Sequence, residues 1–170
     1  MVIESTILEH LATFGIVVYK VKGKSMEPML VPDSDIVTIN RLADSKLSEN
    51  DVVLYYRKGK LKLHRIVGIK DDGLFVILGD NCSEKEYDIY RENIVGVMTS
   101  FVHNGVHYQA YDEAYLKYVR DLRENESIRI KKKHIIDFVS WHLRFLPTKM
   151  LASLKVVLRF LLNYKMSFPE

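Results

Sequence analysis

Short apolar runs separated by turn residues fill the first two thirds of the chain, a pattern typical of antiparallel β structure. Apolar residues at helical spacing come first, over residues 3–14, and Gly15 ends that segment. Seven runs rich in β-branched and aromatic residues follow, at 16–22, 35–40, 51–56, 60–69, 74–78, 94–102 and 106–109. Gly59 and Asn104-Gly105 predict hairpins between neighbouring runs. We therefore expect a mainly β fold with a short N-terminal helix over residues 1–109.

The pattern changes to helical spacing at residue 110. An amphipathic helix is predicted over residues 111–123, followed by a polar, basic connector at 125–133. Two more apolar helices are predicted at 134–146 and 148–165, separated by Pro147. The chain thus divides into a β domain, 1–109, and a helical, basic C-terminal extension, 110–170.

Composition limits the chemistry that the chain can support. Cys82 is the single cysteine among 170 residues, which excludes an internal disulfide framework and cysteine-rich zinc sites. We expect no metal and no cofactor. The net charge of +3 is uneven, because residues 117–170 carry 12 basic and 5 acidic side chains. The lysine run is short, so we expect no nucleic-acid partner.

The C-terminal segments have the character of helices that lie on a membrane surface. Residues 134–146 and 148–165 are each too short to span a bilayer, but both have broad apolar faces and basic flanks. We expect peripheral membrane association through residues 134–165. The alternative is a cytoplasmic protein whose helices pack on the β domain or on a second subunit. Residues 1–14 lack the pattern of a signal peptide, and we expect no spanning helix.

The turn after the first strand is a suitable place for a nucleophile. Residues 23–30 read Gly-Lys-Ser-Met-Glu-Pro-Met-Leu, which puts Ser25 in a tight Gly/Pro turn. Gly23 lets the backbone bend, and Pro28 stiffens the exit. We expect Gly23, Met26 and Pro28, which flank Ser25, to help bind a peptide. The backbone N–H groups of this turn suit an oxyanion.

Four further boxes follow in order and carry a family resemblance. They are Asn-Asp-Val-Val-Leu-Tyr (50–55), Leu-His-Arg-Ile-Val-Gly (63–68), Leu-Gly-Asp-Asn (78–81) and Ile-Val-Gly (94–96). With residues 23–30, they resemble the serine peptidases of the signal peptidase I family, which are related to the self-cleaving repressors of the SOS response. The resemblance covers roughly residues 16–100. It implies the antiparallel β fold of that family, with Ser25 as nucleophile.

The resemblance also implies a general base at His64. Typical bacterial members have a lysine before the arginine, whereas here His64 precedes Arg65, as in the archaeal and endoplasmic-reticulum type. Histidine is largely neutral at pH 7, so it can accept the serine proton and return it to the leaving amine. Lys62 shares the strand face of His64 and is the alternative base.

A third group should orient His64. Asp80, in the Leu-Gly-Asp-Asn box, is the first candidate. The His-type relatives have a second acidic residue six positions later, which is Glu86 here instead of aspartate, and Asp88 lies close by. The orienting residue therefore stays open among these three. Many signal peptidases also have a serine where this chain has Gly23, which leaves the oxyanion mainly to the Ser25 backbone N–H.

The implied function is a serine endopeptidase that cleaves a precursor, signal or leader peptide through a Ser-His dyad or a Ser-His-Asp triad. One rival is a regulatory protein that cleaves itself, although no small-residue dipeptide in a clear linker precedes Ser25. The other is a non-catalytic peptide-binding module on the same fold. The substrate, the cleavage site and the oligomeric state lie beyond the sequence.

Overall fold

Eight strands form one antiparallel sheet that curls into a half-barrel in the computed structural model, which describes residues 2–42 and 46–142. The strands are β1 (Ile16–Lys20), β2 (Ile36–Arg41), β3 (Val52–Arg57), β4 (Lys60–Ile69), β5 (Phe75–Leu78), β6 (Glu86–Ile89), β7 (Ile94–His103) and β8 (Val106–Gln109). Their order is β1-β2-β7-β3-β4-β5-β6, and β8 pairs with β7. The prediction of a mainly β, antiparallel fold is confirmed.

Within the described residues, three α-helices accompany the sheet: α1 (Val2–Phe14), α2 (Glu113–Glu124) and α3 (Glu126–His142). A short 3-10 turn, Arg91–Asn93, leads into β7. Helix α1 packs against β1 and β2, where Ile7 and Leu11 enter the core. The predicted segments 143–146 and 148–165 lie outside the described residues.

Strand β3 lies at the centre of the sheet and is buried on both faces. Its side chains alternate between two apolar clusters, because successive residues of a strand point to opposite sides. Val52 and Leu54 belong to the cluster that contains α1 and α2, whereas Val53 and Tyr55 belong to the cluster under β5 and β6. One of its two neighbours, β4, therefore carries His64 and Arg65 toward different surroundings, because Val53 lies opposite His64 and Val52 lies opposite Arg65.

Helix α2 is part of the first cluster. Its four buried side chains, Tyr115, Tyr118, Val119 and Leu122, have the spacing of one helix face. The helix therefore packs directly on the strands that precede it. The division of the chain at residues 109 and 110 stays a prediction.

Two segments differ from the prediction. Residues 86–89 form β6 at the edge of the sheet, although the sequence Glu-Tyr-Asp-Ile shows too little apolar alternation to predict a strand. Residues 126–133, predicted as part of a connector, belong to α3. The carbonyl of Asn125 accepts the first helical hydrogen bond, from the Arg129 N–H (2.9 Å). Arg129 and Lys133 of this segment have partners in the fold, which a polar sequence alone does not reveal.

Candidate active site

The turn that carries Ser25 is fixed by buried side chains on its C-terminal side. Met26, Met29 and Leu30 are at most 1% exposed and belong to the first core cluster. Gly23 has a φ of +83°, a backbone conformation that favours glycine. The turn contains a cis peptide bond between Glu27 and Pro28. Ser25 itself is half-buried, so its hydroxyl sits on an anchored but accessible turn.

Asn81 ties this turn to the end of β5. Its backbone N–H donates to the Ser25 carbonyl (2.8 Å), and its side-chain amide donates to the Lys24 carbonyl (2.9 Å). Two hydrogen bonds to adjacent carbonyls hold both the position and the tilt of the turn. The Leu-Gly-Asp-Asn box thus positions Ser25, a role that the sequence did not identify.

Ser25 and His64 line one cleft of about 910 Å³. Gly79 shows how closely their segments approach, because a Cβ added there would lie 2.7 Å from the Ser25 carbonyl oxygen and 3.0 Å from Cδ2 of His64. Among the described residues, no hydrogen bond joins the Ser25 hydroxyl to the His64 ring. Such bonds are often looser in a free enzyme than in its substrate complex.

Tyr55 and Glu86 determine which nitrogen of His64 carries a proton. The Tyr55 hydroxyl donates to Oε1 of Glu86 (3.0 Å) and lies 2.9 Å from Nδ1 of His64. A tyrosine has one hydroxyl proton, and a carboxylate can only accept. The Tyr55 oxygen must therefore accept a hydrogen bond from Nδ1–H, which leaves Nε2 of the neutral ring unprotonated. Cδ2, the ring neighbour of Nε2, is the atom that lies toward Gly79 and the Ser25 turn.

The surroundings of His64 favour the neutral ring. The residue is 7% exposed, and burial lowers the pKa of its imidazole below the ordinary value of 6.5. The positive charge of Lys62 acts in the same direction, while the negative charges of Glu86 and Asp80 oppose it. At pH 7 the ring is therefore predominantly unprotonated at Nε2 and available as a base.

Glu86 is ionised and shared between cations. Burial alone would raise the pKa of its carboxyl, but hydrogen bonds from Lys62 and Tyr55 hold that pKa below its ordinary value. Lys62 Nζ lies 2.8 Å from Oε1, and Arg57 Nε lies 3.2 Å from Oε2. Lys62 thus has an ionic partner of its own, which argues against the alternative in which Lys62 is the base.

The role of Asp80 in orienting His64 stays a prediction, and the structure gives Asp80 a different hydrogen-bond partner. Both carboxylate oxygens of Asp80 accept hydrogen bonds from Arg65, at 2.9 and 2.7 Å, and Tyr118 donates to the same carboxylate (3.1 Å). Arg65 is fully buried, so its fork-shaped side chain needs this bidentate partner. The acidic neighbour of the His64 ring is Glu86, whose Oε1 lies 3.7 Å from Nδ1. Asp88, the third candidate, pairs with Lys70 at the surface.

The predicted binding residues fall into two groups. Met26 lines the cleft, whereas Gly23 and Pro28 shape the turn without lining it. Within residues 2–42 and 46–142, no cluster of three or more His, Cys, Asp or Glu residues could hold a metal ion.

The Ser25 backbone N–H is available as an oxyanion donor. Its carbonyl is engaged by Asn81, but within the described part of the chain the N–H has no hydrogen-bond acceptor. An N–H on the same residue as the attacking hydroxyl lies close to the carbonyl that this hydroxyl would attack. The site thus offers a hydroxyl, an oriented base and one free donor.

Sequence reasoning missed Tyr55. A signal was present, because Tyr55 pairs with Lys62 across β3 and β4 and therefore shares the sheet face of His64. Recognising this needed the strand register, and pairing it with Glu86 also needed β6, whose sequence does not predict a strand.

Comparison with known proteins adds no family assignment. No protein-family model matches the chain, and none of the curated proteins matches it significantly. The resemblance to the signal peptidase I family therefore depends on the ordered boxes of the sequence.

Proposed function

We propose that this chain is a serine endopeptidase with a signal-peptidase-like fold that cleaves a precursor, signal or leader peptide. The observation that carries the proposal is the contact between the Tyr55 hydroxyl and Nδ1 of His64 (2.9 Å), from which the tautomer of the ring is assigned. Tyr55 and Glu86 hold Nδ1, so the unprotonated Nε2 lies on the edge of the ring that includes Cδ2, near the Ser25 turn. A buried histidine with only a structural role does not need an unengaged nitrogen in a cleft shared with a half-buried serine.

The chemistry follows from this arrangement. As the Ser25 Oγ attacks the scissile carbonyl carbon, Nε2 of His64 takes the hydroxyl proton, and the carbonyl oxygen becomes an oxyanion facing the Ser25 N–H. The C–N bond breaks when the protonated ring gives its proton to the leaving amine, which leaves an acyl-enzyme. Water, deprotonated by the same nitrogen, then releases the acid and restores Ser25.

The test compares wild type with Ser25→Ala and His64→Ala on a peptide mixture and on precursor peptides encoded beside the protein, with cleavage followed by mass spectrometry. Ser127→Ala and His107→Ala are matched controls, because both residues are exposed and lie outside the cleft. We expect cleavage by wild type and both controls and its loss in the two site variants. Equal cleavage by all five proteins would refute the catalytic assignment.

The same experiment separates the two rivals. A self-cleaving protein would lose mass on prolonged incubation of the wild-type chain alone, whereas Ser25→Ala would keep its mass. A peptide-binding module would bind peptides with no cleavage by any variant.

We also propose that α3 contacts a membrane surface. One face of the helix, with Glu126, Arg129 and Lys133, points toward the protein body: Glu126 pairs with Lys85, and Arg129 donates to the carbonyl of Asp80. On the opposite side, Ile128, Ile135 and Phe138 are 46 to 63% exposed. No helix in the described part of the chain is long and apolar enough to cross a bilayer. An apolar face beside a run of lysines suits an interfacial position.

A further inference from the structure

Basic side chains from several parts of the fold surround the cleft that holds Ser25 and His64. Among the residues that the structure describes, seven basic ones line it: Lys22, Lys24, Arg57, Lys58, Lys62, Lys85 and Lys133. Three acidic residues also line it: Glu84, Glu86 and Asp137. The cleft therefore has a net charge of +4, contributed by the Ser25 turn, the β3–β4 hairpin, the loop before β6 and α3.

The cleft is one of two basic parts of the chain, because residues 117–170 without Lys133 and Asp137 carry another 11 basic and 4 acidic side chains. The whole chain has 25 basic and 22 acidic residues, of which 7 and 3 line the cleft, so the remainder has 18 and 19. The rest of the protein thus has a net charge of −1. A cleft with an excess of positive charge attracts ligands of the opposite sign and orients them as they approach.

Three of these cations are not neutralised by the fold. Arg57 and Lys62 pair with Glu86, and the two other paired cations are Lys85 with Glu126 and Lys133 with Asp137. Lys22, Lys24 and Lys58 have no carboxylate partner among the residues that the structure describes. Two of them lie on the approach to Ser25, and the third lies in the turn between β3 and β4.

The rest of the lining suits a peptide. Val21, Met26, Leu61 and Leu63 provide aliphatic surface beside the charges. Apart from the His64 ring, the described lining has no aromatic side chain on which a nucleic-acid base could stack. The combination of aliphatic contacts and free ammonium groups fits an extended segment with acidic side chains.

We propose that the cleft selects peptides with acidic residues near the scissile bond, with Lys22, Lys24 and Lys58 as the specificity-determining residues. This inference rests on the proposed function, since it names the substrate class of the same site. Its binding component can be measured without cleavage.

The test uses Ser25→Ala protein, which keeps the cleft but cannot turn over. Binding of fluorescent peptides that differ only in Glu, Gln or Lys at the same positions is measured by anisotropy at low and high salt. We expect the Glu peptide to bind about tenfold more tightly than the Gln peptide at low salt, with the difference shrinking as salt screens the charges. Equal affinity for the two peptides, or no binding of either, would overturn the proposal.

A matched pair of triple variants locates the effect. Lys22→Gln, Lys24→Gln and Lys58→Gln together should remove most of the Glu preference. Lys60→Gln, Lys117→Gln and Lys131→Gln change the net charge equally at exposed positions outside the cleft and should keep the preference. An equal loss in both variants would mean that total charge, and not the cleft, is responsible. Tighter binding of a single-stranded oligonucleotide of the same charge would also overturn the assignment to a peptide.

Failure of this inference is distinguishable from failure of the proposed function. If wild type cleaves Glu and Gln peptides equally, the peptidase stands and the acidic preference fails. If no peptide is cleaved but Glu peptides bind selectively, the recognition stands and the catalytic proposal fails.

Discussion

The hydroxyl oxygen of Tyr55 lies 2.9 Å from Nδ1 of His64. The same hydroxyl donates to Glu86. The Glu86 carboxylate therefore orients the Tyr55 hydroxyl, and the Tyr55 oxygen in turn orients the imidazole. In a Ser-His-Asp triad, the carboxylate contacts the ring directly and fixes its tautomer. Here the carboxylate is 3.7 Å from the ring nitrogen, and Tyr55 makes the hydrogen bond.

Tyr55 should therefore act as a positioning residue. Tyr55→Phe removes the acceptor for Nδ1–H and lets the ring adopt the tautomer with a protonated Nε2. We expect kcat to fall by about 10- to 100-fold with little change in KM. Tyr56→Phe is the control, because Tyr56 is exposed and, among the described residues, its hydroxyl donates only to the Gly59 carbonyl in its own hairpin turn. Steady-state kinetics on one cleaved peptide measures both constants, and a Tyr55→Phe enzyme within twofold of wild type would contradict the role.

The sequence predicts most strands of the sheet and, within the site, the positions of Ser25 and His64 but not the partners of the His64 ring. Local patterns of β-branched residues gave seven strands within a few residues of their ends, and the boxes placed Ser25 and His64 on segments that do meet. The partners of His64 could not be predicted, because they depend on which strands pair. Asp80 precedes Asn81, which holds the Ser25 turn, yet the buried charge of Arg65 takes the Asp80 carboxylate as its partner. Which side chain pairs with Asp80 depends on the packing around Arg65, which the sequence does not show.

Gly79 should be indispensable for activity. A methyl group at this position would lie 2.7 Å from both the Ser25 carbonyl oxygen and the Cys82 sulfur, closer than real contacts allow. Gly79→Ala must therefore displace the Ser25 turn or the His64 ring. We expect cleavage to fall by at least about tenfold, since small displacements of reacting groups are costly.

Gly68→Ala provides the matched control for Gly79→Ala. Its added methyl group would meet Val76 at ordinary contact distances of 3.7 and 3.8 Å. Circular dichroism establishes that both variants are folded before their cleavage rates are compared. Full activity in a folded Gly79→Ala protein would show that the close approach of the two segments is not required.

Substitutions at Asp80 and Glu86 should have different effects, the first mainly on stability and the second mainly on catalysis. Asp80→Asn leaves the buried Arg65 charge without its carboxylate, and we expect the free energy of unfolding to fall by about 3 kcal/mol. Glu86→Gln removes a carboxylate at the edge of the cleft, so we expect a stability loss below about 1 kcal/mol but a clear fall in kcat. Urea unfolding and kinetics on both variants make the comparison. A stable, inactive Asp80→Asn protein would restore Asp80 as the residue that orients the base.

The apolar face of α3 should mediate membrane contact. Ile135→Ser with Phe138→Ser removes two exposed apolar side chains from that face, and we expect binding to anionic vesicles to weaken by about tenfold. Phe14→Ser with Val18→Ser is the control, because these side chains are exposed to a similar extent on another part of the surface. Co-sedimentation with vesicles measures the bound fraction. An equal loss in both pairs, or no binding by wild type, would count against α3 as the contact.

The pH dependence should report the electrostatics around His64. Catalysis needs the neutral ring, and burial lowers the pKa of His64, so the acid limb of kcat/KM should have its midpoint below pH 6.5. Glu86→Gln removes a negative charge that raises this pKa, and the limb should move to still lower pH. Lys62→Gln removes a positive charge that lowers it, and the limb should move to higher pH. Lys60→Gln, outside the cleft, should leave the limb in place. Shifts of the acid limb in opposite directions are expected only if His64 is the titrating base. If neither Glu86→Gln nor Lys62→Gln changes the midpoint of the limb, another group carries out the proton transfer.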